Sequence, residues 1–185
     1  MNLYIRFFWN IFINLILNRS IKITDEAILK MRVLPTDLDL NMHMNNGRYL
    51  TVMDIARTDL LVRSGLHKVV AKHKLSGVTG GIHITFLKEL SLFKKYSVHS
   101  KGIYWDDMWF YIEQKFMKDG HIAANAIAKV TFLQKGKRVS PTQVIEWLDP
   151  SVEKMALPKF LEELIDGESD MIEEVRSHNR KLKKN

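Results

Sequence analysis

The chain has 185 residues, no cysteine, 46% hydrophobic residues and an excess of Lys and Arg over Asp and Glu of 28 − 21 = 7. That length suits one domain with terminal extensions, and the hydrophobic share excludes a disordered chain. The missing cysteines exclude disulfides, thiolate catalysis and cysteine-ligated zinc, while the positive charge favours nucleic acid, anionic lipid or a phosphorylated small molecule as partner.

The amino terminus, LYIRFFWNIFINLILNR, is apolar but interrupted. Its uncharged window between Arg6 and Arg19 holds 12 residues, three of them asparagine. A spanning helix needs ~20 apolar residues, and no small-residue cleavage site follows. Asn2, Arg6, Asn10, Asn14 and Asn18 recur every four residues, a slowly winding polar stripe opposite Phe, Trp, Ile and Leu. The spacing predicts an amphipathic helix over 1–22, resting in a membrane interface or packed on protein.

Residues 27–34 alternate loosely and read as a strand ending at Pro35-Thr36. Residues 46–64 read as an enclosed helix capped by Asn45 or Asn46, with Asp59 and Arg63 paired at i,i+4 and Gly65 as its left-handed stop. A polar connector over 67–81 leads to four strand-like runs at 82–88, 95–105, 108–117 and 121–133. Asp119-Gly120 signals a tight hairpin, and Asp106-Asp107 a second turn. Ser140-Pro141-Thr142-Gln143 reads as a capping box, with short helices over 141–148 and 158–166. The expected division is an amino-terminal helix over 1–22, a domain over 23–148, and a helical extension with a basic tail over 149–185. One helix and about five antiparallel strands make an α+β architecture, a curved sheet wrapped around a long central helix. Its outermost strands need cover, which a dimer would supply.

The densest polar stretch, DLDLNMHMNNGRYL over 37–50, stands just ahead of the helix. Asp39, Asn41 and His43 alternate, so in an extended segment all three face one side. The backbone N–H groups of a helix start carry partial positive charge and can hold an oxyanion. Together these are parts for splitting an activated acyl bond: Asp39 as base or nucleophile, His43 and Asn41 orienting water or substrate. Asp and Asn before a helix also serve as plain caps, and His43 as a packed loop residue. The residues alone leave both readings open. His83 reads as a solvent-facing strand residue, Trp105 and Trp109 as core or interface anchors, and Gly80-Gly81 as a bulge or a turn.

The stretch DLDLNMHMNNGRYL resembles the signature of hotdog-fold thioesterases related to 4-hydroxybenzoyl-CoA thioesterase. GGIHITFLKEL and GIYWDDMWFYIEQKF extend the similarity, toward the branch of thioesterase superfamily member six-like proteins, over roughly 25–147. The resemblance implies a hotdog fold, a homodimer or dimer of dimers with sites at the interface, and hydrolysis of an acyl-CoA or acyl-carrier-protein thioester. It places the base or nucleophile on Asp39 and makes Asp37 structural. Asp39-Leu40-Asn41-Met42-His43 also matches the Asp-x-Asn-x-His pattern of plant acyl-carrier-protein thioesterases, which implicates Asn41 and His43 in catalysis. Asn45, Asn46, Gly47 and Tyr49 become the substrate-binding residues, the helix start polarising the thioester carbonyl. Two departures stand out: a Gly commonly precedes the signature histidine where this chain has Met42, and the plant enzymes' downstream cysteine is absent.

Two other classes fit the same fold: a non-catalytic acyl-binding or membrane-associated protein, and an enoyl-CoA hydratase. The hydratase pattern places its histidine one residue later and a proline after the asparagine. No nucleic-acid partner is expected, because the aromatic residues lie in apolar runs rather than between lysines. No metal or cofactor is expected, since the loop lacks a ligand set with suitable spacing. The expected location is cytoplasmic, with residues 1–19 resting on the inner membrane as one reading of that segment.

Overall fold

A row of alanines on the longest strand is what lets a helix lie across this sheet. The computed structural model describes residues 20–182 and, ahead of them, Ile5, Phe8, Trp9, Phe12 and Ile13. The strands are β1 (Ala27–Arg32), β2 (Leu75–Phe86), β3 (Lys95–Trp105), β4 (Phe110–Lys118), β5 (His121–Gln134) and β6 (Lys137–Val139). They form one antiparallel sheet in the order β1-β3-β4-β5-β2, with β6 on β5. Ala124, Ala126 and Ala128 lie opposite Phe116, Gln114 and Ile112 of β4 and opposite Phe86, Ile84 and Ile82 of β2. Facing residues in a ladder share a side of the sheet, so the small side chains leave a trough. The helix α1 (Asn46–Arg63) fills it with Val52, Met53, Ile55 and Ala56, all buried against Val98, Phe116 and the alanines. Each large side chain buried there contributes ~1.5–3 kcal/mol. This is the hotdog arrangement.

One polar cluster sits inside that interface. Gln114 is fully buried; its Nε2 donates to Met53 O at 3.1 Å and to Ser100 Oγ at 3.0 Å, and its Oε1 accepts from Arg57 Nη1 at 2.8 Å. Arg57 also pairs with Asp54. Burial lowers the Arg57 pKa, against the opposing pull of Asp54. Every polar group in the cluster thus has a partner, which is what a buried network requires.

Elsewhere the structure departs from the expectations in ways that have physical causes. The connector over 67–81 is not a loop: it holds α2 (Leu66–His73) and the first half of β2. Pairing with β5 overrides the low strand propensity of Gly77, Gly80 and Gly81 there. The strand stops at Phe86, because the N–H groups of Leu87 and Lys88 both turn to Ala123 O. Gly80 lies at a bulge, where the register shifts between Thr79 and Gly81. The helix α3 (Pro141–Leu148) begins as expected with Pro at its first turn, but without a capping box. Ser140 makes no side-chain cap bond, and Gln143 Nε2 donates to Glu146 instead.

The enclosure of α1 is one-sided, since Leu50 is exposed. The chain divides into two compact units, residues 1–153 and 154–185. The second carries α4 (Lys159–Leu182), a single 24-residue helix where a short one over 158–166 was expected. Gly167 does not stop it, because the apolar stripe continues beyond that residue and outweighs the ~1 kcal/mol that an interior glycine costs. Ahead of residue 20, Ile5, Phe8, Trp9, Phe12 and Ile13 are helical, and Phe8, Trp9 and Phe12 are exposed. The expected stripe of Asn2, Arg6, Asn10, Asn14 and Asn18 lies outside the described residues.

Candidate active site

The loop between β1 and α1 is stapled at its base by Asp37, which is 1% exposed. Its Oδ2 accepts the Leu34 N–H at 2.9 Å, and its Oδ1 lies 3.3 Å from Arg48 Nε. Arg48 Nη2 donates to Thr36 O at 2.8 Å, and the Asn45 N–H donates to Asp37 O at 2.8 Å. The exit of β1 and the entry of α1 are therefore tied through one carboxylate, the structural role that the resemblance implied.

Beyond Asp37 the chain reverses rather than running extended. The Asp39 N–H donates to His43 O at 2.8 Å and the Met42 N–H to Asp39 O at 3.1 Å. Asp39 Oδ1 accepts the Asn41 N–H at 2.9 Å and the His43 N–H at 3.3 Å. Met42 completes the turn in the left-handed region at φ 62. The expected extended alternation of Asp39, Asn41 and His43 is thus replaced by a tight turn, because an Asp side chain competes well for nearby backbone donors. The turn brings Asp39 and His43 onto its two legs and leaves Asn41 exposed at the tip. Asp39 is half-buried, and its Oδ2 carries no hydrogen bond among the described residues.

A second loop closes against the first. The Met44 N–H donates to Leu90 O at 2.9 Å, and His43 pairs with Ser91 in an isolated bridge. This sets Glu89 Oε2 2.8 Å from His43 Nε2. Glu89 is itself held, by Ser91 Oγ on Oε1 at 3.3 Å and by Lys118 Nζ on its carbonyl at 3.0 Å. Sequence reasoning did not find Glu89. It is a lone acid in a loop far along the chain, and only the backbone bridges bring it to the histidine.

At the helix start, Asn45 Oδ1 accepts the Gly47 N–H at 2.8 Å and Asn45 O accepts the Arg48 N–H at 2.8 Å. Asn45, Asn46 and Gly47 are exposed. Tyr49, expected among the substrate-binding residues, is instead a core side chain, 3% exposed and packed against Phe86 at 5.0 Å and Phe116 at 4.8 Å between ring centroids. Its position one turn into α1 points it at the sheet, and burial pushes its hydroxyl pKa up to about 12. No group of three or more His, Cys, Asp or Glu able to hold a metal occurs among the described residues. A cavity of about 880 Å³ lies elsewhere, between Trp9 and the ends of β1 and β3, and its lining includes none of Asp39, Asn41 or His43.

A long helix held by a curled sheet, with an acid-bearing turn delivered to the helix start, defines a hotdog-fold protein of the thioesterase class. More narrowly, the chain belongs to the thioesterase-like superfamily, whose family model matches residues 33–165. It is 29% identical over 166 residues to Protein THEM6 of Drosophila melanogaster, covering 88% of this chain and 82% of that one. It is 33% identical over 135 residues to Protein THEM6 of Xenopus laevis, covering 72% of this chain but 62% of the frog protein, less than two thirds of its length. Among solved structures the fold matches the YbaW probable thioesterase from Escherichia coli with a TM-score of 0.62 at 21% identity, over 68% of this chain and 98% of that one. It also matches SAV2348 from Staphylococcus aureus, solved in complex with CoA, with a TM-score of 0.60 at 17% identity over 76% and 94%. At those identities the structural likeness shows the fold.

Proposed function

We propose that the chain hydrolyses acyl thioesters carried on coenzyme A, with Asp39 as base or nucleophile. The observation that carries this reading is the doubly held Asp39 carboxylate beside the Glu89–His43 pair. With Oδ1 fixed by two N–H groups, Oδ2 is the oxygen available to take a proton from water or to attack the thioester carbon. His43, its Nε2 turned to Glu89, positions the water with Nδ1. Glu89 acts through His43 and is a positioning residue. The carbonyl oxygen takes the charge that develops as the nucleophile adds to the thioester carbon, and the first-turn N–H groups of α1 hold it, the Gly47 N–H once Asn45 lets go; the C=O then re-forms as the C–S bond breaks. The thiolate leaves and takes up the proton.

Coenzyme A as carrier is supported by the net charge of +7 and by the CoA bound in the SAV2348 structure. A homodimer is supported by β2, a 12-residue edge strand with β5 as its one neighbour in the sheet among the described residues, since a long free edge calls for cover. In that reading a second copy completes the acyl cleft beside Asp39. Contact with an anionic membrane surface in the cytoplasm is supported by the exposed Phe8, Trp9 and Phe12. It is supported further by Lys30, Arg32 and Lys95, which line the cavity beside Trp9 and make no ion pair among the described residues. Among those residues no helix is long and apolar enough to cross a membrane.

The test is thiol release from a panel of acyl-CoA and acyl-carrier-protein substrates by the wild type and by Asp39→Ala. The variant should lose activity by ~10²-fold or more, and equal rates would remove Asp39 from the chemistry. Glu89→Gln should lower kcat with KM unchanged, by no more than about fivefold, since both partners of that pair are well exposed (40% and 57%). Acyl-CoA that binds the wild type but is never cleaved would leave acyl binding as the function.

A further inference from the structure

The outer face of the sheet carries a hydrogen-bonded chain that the loop around Asp39 does not use. Residues two apart on a strand face the same way, so Ser97 and His99 of β3 point together, away from the buried Tyr96 and Val98. Glu26, one residue ahead of β1, reaches the same histidine from the neighbouring strand. Its Oε2 lies 2.8 Å from His99 Nδ1, and His99 Nε2 lies 2.9 Å from Ser97 Oγ. An ionised carboxylate only accepts, so the ring proton sits on Nδ1, bonded to Glu26, and Nε2 accepts from the serine hydroxyl. Ser97 and His99 both line the cavity of about 880 Å³ beside Trp9. Lys30 is the partner of Ser97 across the β1–β3 ladder, and Arg32 that of Lys95. Facing residues share a side of the sheet, so all three cations stand on the wall that carries the serine, and all three line the cavity.

We propose that Ser97, His99 and Glu26 form a second catalytic site, one that hydrolyses carboxylic esters of a phosphorylated alcohol. A serine bonded to a histidine whose other nitrogen is held by a carboxylate is the arrangement that activates a hydroxyl as nucleophile. Ser97 Oγ adds to the ester carbon while its proton passes to His99 Nε2, and the Lys30 ammonium supplies the charge opposite the oxyanion that forms. The carbonyl re-forms, the C–O bond to the alcohol breaks, and the alcohol leaves with the proton from His99. Water then gives a proton to His99 and adds to the acyl-serine, and the carboxylic acid departs as Ser97 takes that proton back. Glu26 touches only the histidine and is a positioning residue. The substrate class follows from the cavity walls: Lys30, Arg32 and Lys95 suit a phosphate, and Trp9 and Met117 suit an acyl chain. The site needs nothing from the loop around Asp39 and does not rest on the thioester reading.

The full chain is incubated with an alkyl fluorophosphonate, which forms a P–O bond to an activated serine as its P–F bond breaks, and the modified residue is located by peptide mass spectrometry. Ser97 should carry the label, and His99→Ala should slow that labelling by ~10²-fold or more. The peptide mass separates this site from any reaction at the Asp39 loop, and the wild-type label is read without relying on a variant to fold. Oleate release from oleoyl glycerophosphate should be measurable and lost in Ser97→Ala. Monoolein, the same ester without the phosphate, should show a kcat/KM at least about tenfold lower. Glu26→Gln should lower kcat with KM unchanged. An unlabelled Ser97 in the wild type, labelling as fast in His99→Ala, or oleate release that survives Ser97→Ala would overturn the proposal. Equal cleavage of monoolein would overturn the phosphate as part of the substrate, and a wild-type kcat in Glu26→Gln would overturn the role of the carboxylate.

Discussion

Replacing Asp37 with alanine removes the carboxylate on which the whole β1–α1 loop hangs, without touching the turn that holds Asp39. Two losses follow from the geometry. The Leu34 N–H, bonded at 2.9 Å, is left without its acceptor, which costs about 1–3 kcal/mol when the donor is buried. Arg48 loses a partner at 3.3 Å, a smaller loss, because its side chain is 29% exposed and water takes over part of the role. The sum is about 1–4 kcal/mol, which for a chain of this size lowers Tm by about 3–15 °C. Thermal unfolding followed by circular dichroism reads it, with Asp37→Asn as the companion variant. Asparagine keeps an acceptor for Leu34 but loses the charge facing Arg48, so it should fall between wild type and alanine. A Tm for the alanine variant within about 2 °C of wild type would mean a stabilisation of at most about 1 kcal/mol, and the stapling role assigned to Asp37 would be wrong.

A Cβ added at Gly80 would run into the Trp109 ring, which lies over that residue with Lys129 Nζ 5.2 Å and Arg138 Cζ 4.7 Å from its centroid. Gly80→Ala should therefore cost about 1–3 kcal/mol and shift tryptophan emission to the red; unchanged emission and Tm would refute the contact. Tyr49, raised from 10.0 to about 12 by burial, is held neutral by the fold. Its contribution is complete below pH 10 and is lost as pH rises toward 12, since the unfolded chain ionises first. Alkaline unfolding should begin in that window and move upward in Tyr49→Phe, and an identical profile in the variant would refute the assignment.

Much of the fold was legible because its signals are local. Asp119 and Gly120 both take positive φ, at 51 and 78, as an Asp-Gly hairpin turn demands. Asp59 and Arg63 do meet, at 3.5 Å. Asp106 closes its turn by accepting the N–H groups of Met108 and Trp109, both at 2.7 Å. What stayed hidden depends on partners distant in sequence. The glycine-rich half of β2 is a strand because β5 lies beside it, and β6 follows a second hairpin at Lys135-Gly136 whose lysine carries a positive φ of 49. The site divides the same way. The DLDLNMHMNN stretch stood out as a candidate site by its residue types, but its turn could not be read, because Asp39 chooses backbone donors over an extended path. Glu89 reaches His43 through long-range bridges that no spacing rule encodes.

Met42 is where the backbone of this loop asks for one residue and the sequence supplies another. Its left-handed φ of 62 is the conformation that glycine adopts freely and that costs an ordinary side chain roughly 1 kcal/mol. The two N–H bonds to Asp39 keep the turn closed regardless, while the methionine side chain is left 58% exposed. Glycine would hold this φ without that cost, so Met42→Gly should leave the turn intact, and under the proposed reaction it would also clear the lip of the turn that carries Asp39.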